Sequence, residues 1–180
     1  MTDTRYIFAE SIKALMDHQS LDRITVTDIV EKSGKTRQTF YRYFHDKYDL
    51  VNWYFEVLAD KSFLQIGNSE TLKEGLTKKF EFIYHDKVFF REAFKSKDYN
   101  NVENYDYNCI LNFYQGIIKR KLGHDIPPRI EFLLEMYCHG SITMTVEWAT
   151  GGYKQKPEEL AEMLIEALPP SLDELLRDLK

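Results

Sequence analysis

An all-α fold is predicted by the composition of the sequence and by the spacing of its apolar residues. Apolar side chains make up 43% of the 180 residues, which is enough for a packed core and excludes a wholly disordered chain. Glycine (8 residues) and proline (5 residues) are sparse, and the signals for β-strands are weak. Most apolar residues instead recur every three or four positions, as they do along one face of an α-helix.

The N-terminal segment predicts two helices separated by a short connector. Apolar residues at helical spacing place the first helix at residues 4–18. The second begins at a capping box, in which Thr25 caps the helix and Asp28 lies three residues later. It runs to about Ser33 and ends at Gly34, because glycine readily adopts the left-handed conformation that closes a helix.

A third and a fourth helix are predicted to follow after very short breaks. The third extends from its capping residue Thr36 to about Phe44, and it directs Phe40 and Phe44 at a small core. Asp46 starts the fourth helix, which we expect to continue to about Leu64.

The helical pattern is interrupted at Gly67-Asn68-Ser69, which indicates a boundary between two domains. We therefore expect an N-terminal domain of residues 1–64 and a C-terminal domain of residues 65–180. The helices predicted in the second domain cover residues 70–85, 87–96, 102–122, 128–150, 157–168 and 171–179.

Charge is distributed unevenly along the chain. The formal net charge of −5 argues, taken alone, against a nucleic-acid partner. Residues 32–47, however, contain five lysines and arginines against one acidic residue, Asp46, which gives a local balance of +4. A basic patch on an acidic body is typical of a protein that binds phosphate groups with one face only.

Two short helices joined by a glycine-containing turn, over about residues 25–44, form the pattern of a helix-turn-helix. In this motif the second helix enters the major groove of DNA, and its N-terminal residues contact base edges. Arg37 and Gln38 lie in its first turn, and these residue types pair bidentately with guanine and adenine. Thr39 is able to contact a thymine methyl group or a phosphate, and Arg42 is able to contact a base or a phosphate.

Side chains that suit phosphate flank this base-reading turn. Tyr41, Tyr43 and Lys47 carry hydroxyl or ammonium donors for phosphate oxygens, which position a protein on DNA without reading its sequence. At the start of the second helix, Thr25 and Thr27 offer hydroxyls and backbone N–H groups to another phosphate. Spacing alone leaves open an ordinary helical hairpin with a solvated charged face.

The same segment resembles the N-terminal DNA-binding domain of the TetR family of transcriptional regulators, over about residues 4–60. The residues that carry the resemblance are Ile24-Thr25-Val26-Thr27-Asp28-Ile29, Gly34, Thr39-Phe40-Tyr41-Arg42-Tyr43-Phe44, Lys47 and Leu50. The resemblance implies an all-α homodimer, usually a repressor that leaves DNA when a small ligand enters the C-terminal domain. It also implies that Tyr41 and Lys47 contact phosphate, and that residues 36–39 and 42 face bases or backbone.

One residue departs from the family pattern, and one segment indicates a subgroup. The family usually has a small apolar residue where this chain has Lys35, whose side chain can extend outward to a phosphate or alter the turn. Near the C-terminus, Trp148, Gly151-Gly152 and the segment Lys156-Pro157-Glu158-Glu159-Leu160-Ala161 are similar to a subgroup that includes regulators of dihydroxyacetone kinase operons. This similarity implies an alternative, an activator controlled by a protein partner rather than by a small ligand.

Aromatic residues are concentrated in residues 80–114, which hold eleven of the 26 in the chain. We expect most of them to fill a bulky core. An apolar cavity with a few hydroxyl groups is, however, also what a small-molecule effector site needs. The candidate pocket residues are Phe82, Phe90, Phe94, Tyr107, Phe113, Tyr114 and Tyr137.

The helices predicted at residues 128–150 and 157–168 carry apolar stripes, and the small residues Gly140, Ser141 and Ala149 permit close helix approach. Packing within one chain also explains such stripes, but the family resemblance favours a four-helix dimer interface. A dimer suits DNA recognition, since one helix-turn-helix reads few base pairs. The candidate interface residues are Leu134, Ser141, Thr145, Trp148, Leu160, Met163, Leu164 and Ala167.

Other classes of function have little support in the sequence. No motif for nucleophilic, phosphate-loop or paired-carboxylate catalysis occurs, and the cysteines and histidines lack metal-ligand spacing. We therefore expect no enzyme, no metal and no cofactor. Without a long apolar run or a signal peptide, we expect no membrane partner and a cytoplasmic location. The acidic C-terminal part leaves open an interaction module that acts mainly through another protein.

Overall fold

The structure is a computed structural model that describes residues 3–62, 71–98 and 100–179, with residues 59–62 described by their backbone. All regular secondary structure in these residues is helical, apart from one isolated antiparallel bridge between Thr71 and Asp178. The predicted all-α fold is confirmed.

The predicted helices agree with the observed ones to within a few residues at each end, and two of them, α7 and α8, agree at both ends. The helices are α1 (Thr4–Met16), α2 (Val26–Ser33), α3 (Arg37–Tyr41), α4 (Lys47–Ser62), α5 (Leu72–His85), α6 (Lys87–Phe94), α7 (Val102–Leu122), α8 (Pro128–Thr150), α9 (Pro157–Glu166) and α10 (Pro170–Leu176). The connector between α1 and α2 contains a 3-10 turn, Leu21–Arg23. The predicted domain boundary at residues 67–69 lies outside the described residues.

The two ends of α2 are closed as the sequence predicts. The Thr25 hydroxyl accepts the backbone N–H of Asp28 at 3.2 Å, and the Asp28 carboxylate accepts the backbone N–H of Thr25 at 2.8 Å. At the other end Gly34 is left-handed, with φ of 65°, and the N–H of Lys35 donates to the carbonyl oxygen of Val30 at 3.1 Å. Both ends of the helix therefore have partners for backbone groups that helix geometry leaves unpaired.

Helix α3 is shorter than predicted, because it ends at Tyr41 rather than near Phe44. Beyond Tyr41 the chain tightens, and the N–H of Tyr43 donates to the carbonyl oxygen three residues back, on Phe40, at 2.9 Å. This tighter turn directs Phe44 into the core, where its ring centre lies 6.4 Å from that of Phe8.

The N-terminal core is built around Phe8 of α1 and Phe40 of α3, both of which are fully buried. Their rings meet edge to face, with centres 5.3 Å apart. Such an aromatic pair contributes about 0.5–1.5 kcal/mol beyond its buried area. The contact also fixes the rotation of α3, so that the opposite face of this five-residue helix points to solvent.

Helix α4 belongs to the packing of both halves of the chain, because it contacts α1 on one side and α5 and α7 on the other. A polar cluster reinforces this junction. Lys13 Nζ of α1 lies 3.1 Å from both the Tyr54 hydroxyl of α4 and the carboxylate of Asp86, which precedes α6. The Tyr54 hydroxyl in turn donates to Asp86 at 2.8 Å.

The C-terminal core contains a buried ion pair among mostly apolar side chains. Lys79 of α5 and Asp106 of α7 are exposed by 6% and 2%, and Lys79 Nζ lies 2.7 and 2.6 Å from the two carboxylate oxygens. Burial raises the pKa of Asp106, and the adjacent ammonium opposes that shift. Because neither charge can reach water, this pair requires α5 and α7 to stay in one register.

The left-handed conformation of Gly34 can be tested by an alanine substitution, with Gly116 as the control position. The Cβ of an alanine would meet no atom within 4 Å at either Gly34 or Gly116, so steric overlap is not at issue. Gly34→Ala should lower the free energy of unfolding by about 1–2 kcal/mol, because an L-residue is strained at positive φ. Gly116→Ala, inside α7, should raise it by about 0.5–1 kcal/mol. Urea denaturation measures both, and equal effects at the two positions would contradict the left-handed cap.

Candidate DNA-binding surface

The residues predicted to contact DNA lie at the surface of α2 and α3, in the turn that follows and at the first residue of α4. Eight are exposed and three are half-buried. The exposed residues are Thr25, Lys35, Thr36, Arg37, Gln38, Tyr41, Arg42 and Tyr43, and the half-buried residues are Thr27, Thr39 and Lys47. Tyr41 and Tyr43 are 57% and 46% exposed, so core packing does not account for them.

The first turn of α3 is held in place by its own cap and by α2. The Thr36 hydroxyl accepts the backbone N–H of Thr39 at 3.1 Å and lies 2.9 Å from the Thr39 hydroxyl. The Arg37 guanidinium donates to the hydroxyl of Thr27, in the first turn of α2. The side chains predicted to read bases are therefore positioned against the side chains predicted to hold a phosphate.

Lys47 has a structural role beside the phosphate contact predicted for it. Its ammonium donates to the carbonyl oxygens of Asp22 and Ile24, both at 2.8 Å, and so closes the 3-10 turn that precedes α2. Burial lowers the pKa of Lys47. An ammonium has three N–H groups, so these two bonds leave one donor for a phosphate oxygen.

Asp22 connects this surface to the C-terminal half of the chain, a role that no pattern in the sequence indicates. Its carboxylate accepts the hydroxyl of Ser96, in the loop between α6 and α7, at 2.5 Å, and the hydroxyl of Tyr48 at 3.2 Å. The hydrogen bond from Ser96 is the main reason that the pKa of Asp22 is lowered. Since 74 residues separate Asp22 from Ser96, no local pattern signals this contact.

Lys35, the departure from the family pattern, leaves the turn undisturbed. Its side chain is exposed, and its backbone N–H keeps the hydrogen bond that closes α2. The residue therefore adds a positive charge to the surface without changing how α2 and α3 are joined.

Core packing accounts for most of the aromatic pocket candidates. Phe90, Phe94, Tyr114 and Tyr137 are buried in the hydrophobic core, whereas Phe82, Tyr107 and Phe113 are half-buried. Tyr99, one of the eleven aromatic residues of this region, lies outside the described residues.

The candidate pocket residues also lie at different places. Tyr107 lines a cavity of about 320 Å³ whose walls are mostly asparagines, and Tyr137 lines a separate groove of about 250 Å³ beside α8 and α9. The apolar pocket expected from the sequence therefore stays a prediction, and the cavity that Tyr107 reaches has a different, carboxamide-rich chemistry.

Six of the eight residues predicted for the dimer interface are buried within the single chain, and two are exposed. These six side chains are at most 8% exposed within a single chain, so they pack in its own core and do not reach its surface. They are Leu134, Ser141, Thr145, Trp148, Leu160 and Leu164. Met163 and Ala167 are exposed. The buried residues of the predicted stripes therefore form the faces of α8 and α9 that point into the core of the chain.

Three large apolar side chains of α8, outside the predicted interface set, are exposed together with Met163 of α9. Phe132, Met136 and Met144 of α8 are 65%, 54% and 44% exposed, and Met163 of α9 is 52% exposed. Gly140 is exposed between the two methionines of α8.

Within the described ranges, no helix combines the length and apolar character needed to cross a membrane. The same residues contain no group of histidine, cysteine and acidic side chains arranged to hold a metal ion. Cys109 is half-buried and Cys138 is buried, and both are free thiols.

Two family models match the chain. The model described as bacterial regulatory proteins of the tetR family matches residues 10–53, which include α2 and α3. The model described as a transcriptional regulator C-terminal region matches residues 70–169, more than half of the chain.

One curated relative is the HTH-type dhaKLM operon transcriptional activator DhaS of Lactococcus lactis subsp. lactis (strain IL1403). It is 28% identical over 95 residues, an alignment that spans 51% of this chain and 49% of that protein. The chain thus matches about half the length of this relative.

Solved structures with the same fold cover nearly the whole chain. The dihydroxyacetone kinase operon activator DhaS has a TM-score of 0.68 at 20% identity, covering 98% of this chain and 99% of that one. A TetR-family transcriptional regulator from Syntrophomonas wolfei str. Goettingen has a TM-score of 0.65 at 16% identity, with coverage of 90% and 91%. The fatty acid degradation regulator FadR from Bacillus halodurans has a TM-score of 0.61 at 13% identity, with coverage of 93% and 95%. Together with the exposed helix-turn-helix and the two family models, these likenesses identify the chain as a member of the TetR family of DNA-binding transcriptional regulators.

Proposed function

We propose that this regulator is a homodimer that binds a near-palindromic operator with two copies of the α2–α3 surface. The observation that carries the proposal is the exposed basic turn of α3, held against the core by the fully buried Phe40. Residues 1–64 are the DNA-binding domain, and residues 65–180 are the regulatory and dimerisation domain. An effector, either a small molecule or a protein co-regulator, binds the second domain and controls the first.

The proposed roles within the surface follow from position and chemistry. Thr36, Arg37, Gln38 and Thr39 form the start of α3 and read bases, because this end of a recognition helix reaches furthest into the major groove. Six other residues hold phosphates, with Arg42 able to serve either purpose. They are Thr25, Thr27, Lys35, Tyr41, Tyr43 and Lys47.

We place the dimer interface on the exposed apolar face of α8 and α9. Phe132, Met136 and Met144 repeat at helical spacing, and Met163 lies on the second helix. The groove beside Met136 also includes Gly140, where a partner helix can approach closely. A cluster of exposed large apolar side chains is typical of a surface that a partner covers. The interface therefore uses the two helices that the sequence predicts, on the opposite side of α8 but still including Met163 of α9.

The sign of regulation has two candidates. The family resemblance supports repression that an effector relieves. The name of the curated relative, a transcriptional activator, supports activation. A reporter gene behind the bound promoter separates them, because deletion of a repressor raises expression and deletion of an activator lowers it. Either role is cytoplasmic and requires no catalytic step.

In-vitro selection of DNA on the purified protein tests the proposed function directly. The recovered sites should form a near-palindrome with half-sites about one helical turn, or a multiple of it, apart. Affinity should fall steeply with salt concentration, because phosphate contacts release counterions. A selection that enriches no sequence would contradict the proposal.

Arg37→Ala should weaken binding to the selected operator by about 1–3 kcal/mol and relax the preference at one position of each half-site. The loss arises because a bidentate guanidinium–base contact disappears. Fluorescence anisotropy with single-base operator variants measures both effects. Lys119→Ala, which removes an exposed positive charge from α7, is the control and should leave affinity and preference unchanged. If Arg37→Ala behaves like that control, the assignment of base contacts is wrong.

Lys47→Met should weaken binding to all DNA sequences alike and reduce the salt slope by about 1. It should also lower the free energy of unfolding by about 1.5–3 kcal/mol, because a charged donor to two carbonyl oxygens is lost. Salt titrations and urea denaturation separate the two roles. A loss of stability with an unchanged salt slope would show that Lys47 is purely structural.

Met136→Glu should convert the dimer to monomers and abolish tight operator binding, because it places a charge in an apolar interface. Sedimentation velocity measures the oligomeric state across a concentration series. His18→Glu adds the same charge at an exposed position of the N-terminal half and should leave the dimer intact. A dimer that persists in Met136→Glu would place the interface elsewhere.

A further inference from the structure

A cavity of about 320 Å³ lies between α4 and the start of α7, close to the contact between the two halves of the chain. Its walls include five asparagines, Asn52, Asn100, Asn101, Asn104 and Asn108. Among the described residues that line it, none is a lysine, arginine, aspartate or glutamate. The cavity therefore offers many hydrogen-bonding groups and no acidic or strongly basic side chain.

Asn52, on α4, has an incomplete set of hydrogen bonds. The side chain is only 9% exposed, and its Nδ2 donates to the carbonyl oxygen of Asn100 at 2.9 Å. Its Oδ1 is buried and accepts no hydrogen bond from any residue that the structure describes. Folded proteins rarely leave a buried acceptor unpaired, so a donor supplied by a ligand is a physical solution for this oxygen.

The neighbouring asparagines are oriented by hydrogen bonds to backbone groups. Asn101 Oδ1 accepts the N–H of Asn104 at 3.0 Å and so caps α7, while its Nδ2 donates to the carbonyl oxygen of Ser96 at 3.0 Å. Asn108 Nδ2 donates to the carbonyl oxygen of Asn104 at 2.9 Å. A carboxamide carries two donors and an acceptor with two lone pairs, so these bonds fix its orientation without using all its capacity.

One wall of the cavity is aromatic. The ring of Tyr107 stacks on the ring of His139 of α8, with centres 4.2 Å apart and planes 19° from parallel. A fixed aromatic surface packs against C–H groups, whereas carboxamides donate to and accept from adjacent hydroxyl groups. An uncharged molecule with alternating C–H and O–H groups can pack on the aromatic surface and also form hydrogen bonds with the carboxamides.

We propose that this cavity binds an uncharged polyhydroxylated small molecule, a sugar or polyol, and that its occupancy is transmitted to the helix-turn-helix through Ser96. The volume lies at the lower end of the range of about 300–1,000 Å³ for small-molecule sites, which favours a single sugar unit over a larger ligand. The transmission half of the proposal rests on the DNA-binding function proposed above, and the binding half does not.

A continuous set of hydrogen bonds runs from the cavity to the DNA-binding surface. Asn101, in the cavity wall, donates to the Ser96 carbonyl oxygen, and the Ser96 hydroxyl donates to the Asp22 carboxylate at 2.5 Å. The carbonyl oxygen of Asp22 accepts the ammonium of Lys47. A ligand that repositions Asn101 therefore changes the contact that supports the turn before α2. Energetic coupling between sites is carried by packed and hydrogen-bonded groups of this kind.

Isothermal titration calorimetry on the full chain, without DNA, tests the binding site. The probes are glycerol, ribose, glucose, fructose and mannitol, each as the neutral compound, with glycerol 3-phosphate, ribose 5-phosphate and glucose 6-phosphate as charged counterparts. At least one neutral probe should bind, and more tightly than any of the phosphates. Binding by none of the neutral probes, or a preference for a phosphate, overturns the proposal.

Variants in the cavity locate the bound probe. Asn52→Leu and Asn108→Leu should each weaken binding by roughly tenfold or more, because each removes a carboxamide that bonds the ligand. Asn112→Leu, at an exposed position one turn further along α7, is the matched control and should bind like the wild type. Asn108 is exposed, so its variant remains informative if Asn52→Leu fails to fold. Wild-type affinity in Asn108→Leu overturns the site.

Operator affinity measured with and without the bound probe tests the transmission. A saturating probe should change operator affinity by about fivefold or more, within the usual range of coupling between sites. Ser96→Ala should keep the calorimetric affinity for the probe but reduce this change to less than about twofold, since it removes the link to Asp22. A wild-type operator affinity that does not respond to the probe, or a response that survives in Ser96→Ala, overturns the transmission. Absence of operator binding in the wild type would contradict the proposed function and leave the calorimetric result standing.

Discussion

The contact between Phe8 and Phe40 supports everything that the N-terminal half presents to its surroundings. A helix of five residues has too few internal hydrogen bonds to persist in water, so α3 exists because Phe40 is buried. Burial of one face then determines which side chains of α3 are exposed. The positions of Arg37 and Gln38 are therefore a consequence of packing on the other side of the helix, and the loss of that packing would remove the surface altogether.

Polar contacts connect the N-terminal half of the chain to the C-terminal half at two separated places. The cluster of Lys13, Tyr54 and Asp86 links α1 and α4 to the residue before α6, and the Asp22–Ser96 bond links the 3-10 turn to the loop after α6. Two attachments, one before and one after α6, restrain the relative orientation of the halves more strongly than either would alone. Short polar contacts are also easier to rearrange than a packed apolar interface, which suits the control by an effector proposed above.

Local patterns in the sequence were sufficient for the helices and their ends, because capping residues and helical spacing act over a few positions. Thr25, Asp28 and Gly34 have the predicted roles for that reason. The inward and outward faces of α8 were not distinguishable, since Leu134 and Met136 are both apolar and only tertiary packing buries the first and exposes the second. The Asp22–Ser96 bond and the cavity at Asn52 depend on residues far apart in the chain, and no spacing rule brings such residues together.

The ion pair between Lys79 and Asp106 has an evolutionary consequence. Replacing either residue alone leaves a buried charge without its partner, at a cost of about 3–5 kcal/mol, a large part of the stability of an ordinary domain. Replacing both together with apolar residues of similar volume is often neutral or favourable. Divergence at these two positions is therefore expected to be correlated, so that relatives in which these positions of α5 and α7 meet in the core keep both charges or lose both. Substitutions at Lys79 and Asp106 are therefore expected to occur as a pair during the evolution of this fold.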